Sequence, residues 1–389
     1  MNWRHIIKRE LRQMFITDRR RAVFLFGASL AYLILFSLLY GPHVVNSVPL
    51  VIYDEDQTQF SRELIQEFYD SEKFQIVSYV TTQEDMEREL REKKAYAAVH
   101  IPRIFAQDAK SGMSSTVLVM VNGSNIIITN TVTAAAQEIV AAFTKETGTG
   151  LTETNYGQLP APAMNKTGPV ALRFRVLNNP TQDYLGFFVM GLSMAAFQQG
   201  VFLPVGASLH SEFRYPEELG NAGFLQIMAG KLFPYWLSAI SAFFITIAAA
   251  VHIFGIPVKA SIPDLFLLSS TFIFAAVAFG SFLASICNTE LTFTRASIIY
   301  TVPAFVVSGY SFPQESMDLI GKTASSLFPL SYFNNTLRDL MLAGYSPFLY
   351  RNSLILLLMG ITLIVLATVC YIWRLKQTRG MVTGKSIKA

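Results

Sequence analysis

Two carboxylates, Asp54 and Asp56, stand two residues apart directly after an apolar run, and Thr58 follows at the same spacing. The run before them, Leu50–Tyr53, reads as a strand, so the acidic pair falls at a strand end, a place suited to chemistry. Carboxylates can act there as nucleophiles. The same residue types also form turns and cap helices. The spacing is therefore compatible with either a catalytic carboxylate pair or a structural turn before a helix.

The D-x-D-x-T pattern resembles the phosphoryl-accepting loop of haloacid-dehalogenase-type phosphatases, which hold two Asp residues around a metal ion. By that resemblance Asp54 would be the nucleophile and Asp56 a general acid. The chain has no later acidic pair that resembles the metal-binding loop of that family. Thr58 and Ser61 are good helix caps, and acidic residues suit a helix N-terminus. The sequence therefore favours a capping turn, with neither catalytic residues nor a metal site.

A second phosphate-binding pattern, Gly321-Lys322-Thr323, matches the end of the P-loop motif G-x-x-x-x-G-K-[ST]. The first glycine of that motif would fall on Ser316, whose Cβ stands where the backbone must wrap closely around phosphate. No buried strand leads into this segment. We therefore expect the chain to bind no nucleotide or other cofactor and not to be an enzyme.

The composition indicates that a large part of the chain lies in lipid. Of its 389 residues, 52% are hydrophobic and only 15% are charged, whereas about 25% of the residues of a soluble domain are charged. A helix needs roughly 20 apolar residues to cross a bilayer. About six runs approach that length, and we predict transmembrane helices at Ala22–Tyr40, Tyr184–Val205, Leu232–Phe254, Leu265–Cys287, Ala296–Tyr310 and Ser353–Trp373.

Basic residues flank the first and the last of these helices. Seven Lys and Arg residues lie in residues 1–21 and five in the tail 374–389. Such residues mark the cytoplasmic side of a membrane. We therefore predict a multi-pass protein of the cytoplasmic (inner) membrane with both termini in the cytoplasm. The net charge of +4 then reflects topology and does not indicate nucleic-acid binding.

Residues 41–183 follow the first predicted helix and would lie outside the membrane. They span about 140 residues, enough for a folded domain. Predicted strands alternate with predicted helices, which indicates a small α/β domain. The strands are Val48–Tyr53, Phe74–Tyr79, Ala97–Ile101 and Thr116–Val121, and the helices are Ser61–Tyr69, Gln83–Glu92 and Asn130–Phe143.

Asp, Glu, Lys and Arg are absent from the middle of every predicted transmembrane helix, which argues against coupling to an ion gradient. The polar exceptions are Gln198, Gln199 and His252, for which interhelical hydrogen bonding is favoured over substrate contact. The segment between the second and third helices, 207–231, is short and charged. It suits either a contact for a soluble partner or an ordinary loop.

From end to end, the chain resembles the permease subunit of ABC-2 type (type V) exporters that carry a large extracytoplasmic domain after the first transmembrane helix. "IIKRELRQMFITDRRR" is similar to the interfacial elbow helix of that family, and "VPLVIYDEDQTQFSREL" to its first extracytoplasmic strand. "RFRVLNNPTQDYLGFFVMGL" is similar to the entry into the second transmembrane helix. The stretch with "SGYSFP" and the following "FPLSYFNN" resembles the most recognisable family segment. The chain departs from the family at Met190, where a Pro is usual, and at Arg214-Tyr215-Pro216, which interrupts the coupling motif.

The resemblance implies an α-helical polytopic membrane protein with an inserted α/β extracytoplasmic domain. Its parts would be an elbow helix at 1–21, a helix at 22–40, the domain at 41–183, a transmembrane region at 184–373 and a basic tail at 374–389. A coupling loop at 207–231 would carry the ATPase-coupling residues Glu212, Arg214, Glu217 and Glu218. A re-entrant outer segment at 312–350 would carry the gate residues Phe312, Pro313, Pro329, Tyr332 and Phe333.

The resemblance also implies partners: an ABC ATPase subunit, a second permease copy or close paralogue, and a periplasmic adaptor in cells whose envelope has one. ATP hydrolysis would move the first three helices of each half and open an export path between the halves. The alternative is a non-transporting receptor or secretion-associated protein of similar topology. The coupling loop distinguishes the two, since a receptor needs no charged contact there. Drugs, lipids, peptides and polymers all stay open as substrates.

Overall fold

The computed structural model describes residues 3–40, 46–111, 113, 115–123, 126–156, 184–214 and 224–386. The chain divides into two compact units, one of Met1–His43 with Val176–Ala389 and one of Val44–Arg175. The elements are α1 (Trp3–Arg12), a π-helical turn (Gln13–Thr17), α2 (Arg20–Leu39), β1 (Val48–Asp54), α3 (Gln59–Asp70), β2 (Phe74–Val80), α4 (Gln83–Arg91), β3 (Ala97–Ile101), α5 (Phe105–Lys110), β4 (Leu118–Val121), α6 (Ile126–Tyr156), α7 (Tyr184–Arg214), α8 (Phe224–His252), α9 (Ile262–Ile286), α10 (Glu290–Val306), a 3₁₀ turn (Gln314–Ser316), α11 (Leu319–Ser326), α12 (Pro329–Ala343) and α13 (Leu349–Ser386).

The unit Val44–Arg175 is an α/β domain built on a four-stranded sheet in the order β2-β1-β3-β4. The central strand β1 pairs in parallel with β2 and β3, and β4 pairs antiparallel with β3. Leu50 and Ile52 of β1 pack on one face with α3 and α6, whereas Val51 packs on the other with α4. A strand buried on both faces is typical of parallel pairing. The predicted α/β domain is confirmed.

Two helices of this domain differ from the prediction. A short helix, α5, follows Pro102 where no helix was expected, and α6 runs to Tyr156 instead of ending near Phe143. The greater length of α6 has a physical reason. The residues after Phe143 are largely Thr, Glu and Gly, so this extension lacks the apolar periodicity from which a helix is predicted.

The other unit is a bundle of membrane helices. Among the residues that the structure describes, five helices are long and apolar enough to cross a membrane, and α10, at 17 residues, lies at the short end of the range of about 17–25 residues that a crossing needs. The polytopic helical fold with an inserted α/β domain is therefore confirmed. The five segments are Arg20–Leu39, Leu185–Glu212, Met228–His252, Ile262–Ile286 and Leu349–Arg374.

Polar side chains link several of these helices. Gln199 of α7 donates to Ser297 Oγ at 2.8 Å and accepts a hydrogen bond from Thr301 Oγ1 at 2.8 Å, which joins α7 to α10. This is the interhelical role predicted for Gln199. Gln198 is buried. The prediction was wrong for His252, which is exposed at the last residue of α8.

Helices α11 and α12 form the segment that follows α10. Asp318 caps α11, and its carboxylate accepts a hydrogen bond from the backbone N–H of Gly321 at 2.7 Å. That N–H belongs to the Gly-Lys-Thr triplet and is one that a bound phosphate would need. The triplet is therefore part of an ordinary capped helix.

A buried ion-pair cluster as the candidate functional site

Lys231 lies at the centre of a charged cluster inside the membrane unit. Its side chain is 0% exposed, and Nζ donates to Glu10 Oε1 at 2.7 Å and to Glu212 Oε1 at 2.7 Å. Glu10 belongs to α1, Glu212 to the end of α7 and Lys231 to the beginning of α8. One ammonium group therefore connects three helices.

The second oxygen of Glu10 extends the cluster to α2. Ser208 Oγ donates to Glu10 Oε2 at 2.9 Å, and Tyr235 OH donates to it at 3.2 Å. Arg21 at the start of α2 donates to Tyr235 OH at 3.1 Å and lies 3.9 Å from Glu10 Oε2. Glu10 thus receives hydrogen bonds from α7 and α8 and faces a guanidinium of α2.

The buried carboxylates of the cluster are matched by cations. Arg9, Arg21 and Lys231 supply three positive charges to Glu10 and Glu212, and Asp18 at the edge pairs with Arg21 and with the exposed Arg20. Arg9 reaches Glu212, and Arg21 donates to Asp18 at 3.3 Å. Removing ions from water costs several kcal/mol each, so a cluster at this depth depends on such pairing.

The pKa of Glu10 reflects this balance. Burial by itself raises the pKa of a carboxyl group, but the ammonium of Lys231, the hydroxyl of Ser208 and the guanidinium of Arg21 together outweigh burial and lower the pKa of Glu10 below its ordinary value. Glu10 is therefore charged at neutral pH.

The sequence around α1 explains why Glu10 points inward. Ile6, Glu10 and Met14 are spaced by four residues and share one face, and all three are buried. A π-helical turn follows, closed by the hydrogen bond from Asp18 N to Gln13 O at 2.8 Å. After this turn α2 begins at Arg20, and Arg21 in its first turn lies beside the cluster.

Helices α7 and α8 extend into the segment 207–231 that was predicted as a loop. Only 215–223 lie between them, outside the described residues. Charged residues near both helix ends gave the sequence a loop-like character, but pairing buries Glu212 and Lys231 inside helices. The cluster thus joins both flanks of the connecting segment to α1 and α2.

The predicted coupling residues fall in different places. Glu212 is 4% exposed and turned into the cluster. Its Oε2 atom is buried and has no hydrogen-bond partner among the described residues. Arg214 is the last residue of α7, and Glu217 and Glu218 lie outside the described residues. Coupling to an ATPase stays a prediction for all four.

The predicted gate residues separate into surface and core. Phe312 and Pro313 are exposed in the turn after α10, whereas Pro329 is buried as the first residue of α12. Tyr332 donates its OH to Ser326 O at 3.1 Å. The ring of Phe333 is fully buried and packs between helices, stacked on Phe272 with centroids 4.0 Å apart and edge-on to Phe243.

A compact set of contacts, here called the latch, joins Arg338 of α12 to Phe187 of α7 and to Gly309 and Tyr310 after α10. The Arg338 guanidinium is 5.4 Å from the ring centroid of Tyr310 and 5.5 Å from that of Phe187, and it donates to Gly309 O at 3.0 Å. Gly309 has φ of +88°, which other residues rarely adopt. A Cβ on Gly191 would meet the Tyr310 ring at 2.5 Å. The absence of side chains at these glycines therefore permits the latch.

In the α/β domain, the acidic turn is occupied by local hydrogen bonds. Asp54 Oδ1 accepts from the backbone N–H groups of Asp56 and Gln57 at 3.0 and 3.1 Å, and Oδ2 accepts from Ser61 Oγ at 2.7 Å. Thr58 is the N-cap of α3. Both oxygens of the proposed nucleophile thus shape the turn, as the capping interpretation predicts.

A family model described as an ABC-2 family transporter protein matches residues 21–369. The match runs from Arg21 at the start of α2 into α13 and includes both units. The chain belongs to the ABC-2 transporter family. As an ABC-2 permease it is the transmembrane subunit of an ABC exporter and not itself an enzyme. This family membership favours the permease over the alternative of a non-transporting receptor.

Relatives from Escherichia coli strain K12 carry names of the same kind. The chain is 24% identical over 357 residues to the probable multidrug ABC transporter permease YbhR, and this alignment covers 90% of this chain and 92% of the relative. The inner membrane transport permease YhhJ is 23% identical over 316 residues, or 78% of this chain and 79% of the relative. The probable multidrug ABC transporter permease YbhS is 27% identical over 123 residues, 31% of this chain and 33% of the relative.

Proposed function

We propose that this permease pairs with a second permease copy or close paralogue and with ABC ATPase subunits, and that ATP hydrolysis by those subunits drives export across the cytoplasmic membrane. The observation that carries this proposal is the double bridge of Lys231 to Glu10 and Glu212. It connects both flanks of the segment 215–223, where an ATPase would bind, to the helices that would have to move.

The cluster would act as a transmission joint. Pulling α8 away from α1 or α7 would leave buried charges without partners, at a cost of about 3–5 kcal/mol for a broken buried pair. A push on the segment 215–223 would therefore displace the ends of α1, α2, α7 and α8 together. These helices include the first three membrane-crossing helices along the chain.

The four coupling residues would then have two roles. Glu212 would hold the joint, because its carboxylate is buried against Lys231. Arg214, Glu217 and Glu218 would contact the ATPase, since they lie at or beyond the end of α7.

The orientation follows from the basic residues at both ends of the chain. The termini and the segment 215–223 would face the cytoplasm, and the α/β domain would lie outside, where a periplasmic adaptor could bind it. An impermeant thiol reagent on intact cells tests this orientation. It should label a cysteine placed at Asn122 and leave one at Lys376 unlabelled; the opposite pattern would overturn the orientation.

YbhR and YbhS are named probable multidrug ABC transporter permeases, and these names support drugs as a substrate class for this exporter. The turn that holds Tyr310 against Arg338 would then close the outer end of the path. Gate roles for Phe312, Pro313, Pro329, Tyr332 and Phe333 are part of this proposal.

Charge reversal tests the contact with the ATPase. The combined change Arg214→Glu, Glu217→Lys and Glu218→Lys should abolish the change in ATPase rate that assembly with the permease produces, while leaving membrane insertion intact. Lys322→Glu, a charge reversal on the exposed surface of α11, is the matched control and should behave as wild type. An unchanged ATPase response in the triple variant would reduce the segment to a linker.

A further inference from the structure

A groove of about 420 Å³ lies between α8, α9 and α13 of the membrane unit. Val277 and Ala278 of α9 form its floor. Phe233 and Trp236 line it from α8, and Val365 and Val369 line it from α13. Its volume falls within the range of about 300–1,000 Å³ that is usual for small-molecule sites.

The polar groups along the groove are already hydrogen-bonded. Trp236 Nε1 donates to Ser270 O at 3.1 Å, and Thr368 Oγ1 donates to Ile364 O at 2.7 Å. The remaining lining side chains are apolar, and an apolar cavity does not hold ordered water. The groove therefore suits a hydrocarbon ligand without a polar group at that depth.

The mouth of the groove opens on the exposed apolar surface of the bundle. Phe233, Val365 and Val369 are 44%, 56% and 60% exposed and stand at its edge. The mouth is continuous with the apolar outer surface of α13, a helix long and apolar enough to cross the membrane. The hydrocarbon nearest to this opening is the acyl chain of a membrane lipid.

The geometry of three helices keeps the gap open. Gly360 brings α13 against the ring of Phe274, where a Cβ would collide. The hydrogen bond from Trp236 to Ser270 fixes α8 to α9 on the other side. No lining side chain fills the space between these two contacts, and a void in a packed interior forfeits dispersion energy on its walls.

The groove occupies one leaflet. Its α8 wall runs from Met228 to Trp236, about 12 Å along a helix axis, less than half of a hydrocarbon core of about 30 Å. Met228 and Leu232 of this wall are close in sequence to Lys231 of the buried cluster. The leaflet is therefore the one on the side of that cluster.

We propose that this groove binds one acyl chain of a membrane lipid from the leaflet on the cluster side. The acyl chain would fill the space beside α8 and hold the first turns of that helix against α9 and α13. Lipid would thereby support the helix that carries Lys231.

Trp236 is a built-in reporter for this proposal. The chain has three tryptophans, so Trp3→Phe with Trp373→Phe leaves Trp236 alone. The full-length protein is reconstituted in nanodiscs of phosphatidylcholine brominated in the middle of its acyl chains. Contact with bromine should quench Trp236 fluorescence relative to discs of unbrominated lipid. Absence of quenching in a monodisperse sample would mean that no lipid chain enters the groove and would overturn the proposal.

Blocking variants separate the groove from the general lipid surface. Val365→Phe at the mouth and Ala278→Phe on the floor should each abolish most of the quenching. Leu366→Phe, at the exposed position next to Val365 but not in the lining, should leave it unchanged. Val365 is exposed, so its variant keeps the core intact if Ala278→Phe fails to fold. Equal quenching in Val365→Phe and Leu366→Phe would assign the signal to surface lipid and contradict the proposal.

Discussion

Lys231 neutralises two buried carboxylates at once, and its replacement should therefore be costly. Lys231→Met leaves Glu10 and Glu212 without their shared cation, which should lower the free energy of unfolding by about 3–5 kcal/mol. Lys322→Met, at an exposed lysine, should change it by less than about 0.5 kcal/mol. Thermal unfolding of both variants in the same detergent measures the difference. An unchanged Tm in Lys231→Met would contradict the buried position of its ammonium.

Glu10 gives the cluster a defined pH dependence. Burial works against the charged form, but Lys231, Ser208 and Arg21 prevail, so the folded-state pKa lies below the ordinary value of 4.5. A lowered pKa contributes stability that is complete above the unfolded-state value and is lost as the pH falls through the folded-state value. We expect the Tm of the wild type to fall on acidification below that ordinary value, and less steeply in Glu10→Gln. Equal acid sensitivity in the two proteins would exclude Glu10 as its source.

Asp54 tests the choice between a turn and a catalytic residue. In Asp54→Asn the amide oxygen keeps the two backbone hydrogen bonds of Oδ1, so stability and transport should stay close to wild type. Asp54→Ala loses these bonds and the one from Ser61, at a cost on the order of 1 kcal/mol. Unfolding of the full-length chain and a phosphate-ester assay with magnesium provide the readouts. A magnesium-dependent phosphatase activity lost in Asp54→Asn would refute the turn.

The sequence predicted the turn at Asp54 but not the buried ion-pair cluster. The turn at Asp54 was predictable because its interactions are local. The cluster joins Glu10 to residues about two hundred positions away, and no local rule supplies such pairs. One signal was present: Glu10 lies four residues from both Ile6 and Met14, on the apolar face of a helix. An acid on such a face needs a buried partner, but its identity requires the fold.

At the scale of helices, close packing depends on particular glycines. Gly191→Ala would push a methyl group into the Tyr310 ring, and overpacking of this kind costs about 1–3 kcal/mol. Gly27→Ala on α2 is the matched control, because its nearest neighbour would be 4.0 Å away. We expect a lowered Tm only for Gly191→Ala. Equal Tm values for the two variants would show that the Tyr310 ring moves aside without a cost in stability.

Helix existence was predictable from hydropathy, whereas helix ends were not. The long apolar runs identified α2, α7, α8, α9 and α13 because lipid requires a continuous apolar surface. Helices α7 and α8 continue beyond those runs into the segment 207–231, where the ion pair of Glu212 and Lys231 buries charges that a hydropathy pattern assigns to a loop. Tertiary contacts alone carry that information.

For the whole molecule, order and spacing of loose motifs carried more information than any single motif. The acidic turn and the Gly-Lys-Thr triplet each matched a phosphate-binding pattern. The first is a hydrogen-bonded turn before α3, and the second lies in the first turns of α11, which Asp318 caps. The succession of elbow, inserted domain and later membrane helices predicted the ABC-2 family that the match over residues 21–369 shows. The order of these elements along the chain is kept when individual residues diverge, because the topology of the fold requires it.

The most direct test of coupling measures motion of α7 in response to ATP. In a chain without its two native cysteines, Cys287 and Cys370, Leu203→Cys is placed on α7. The permease is reconstituted together with the ABC ATPase that the proposal assigns to it, and thiol modification is timed with and without ATP. The rate should depend on ATP in this background and with Lys322→Met added, and the dependence should vanish in folded Lys231→Met. An undiminished ATP dependence in Lys231→Met would contradict transmission through the cluster, and none in the parent would contradict ATPase coupling itself.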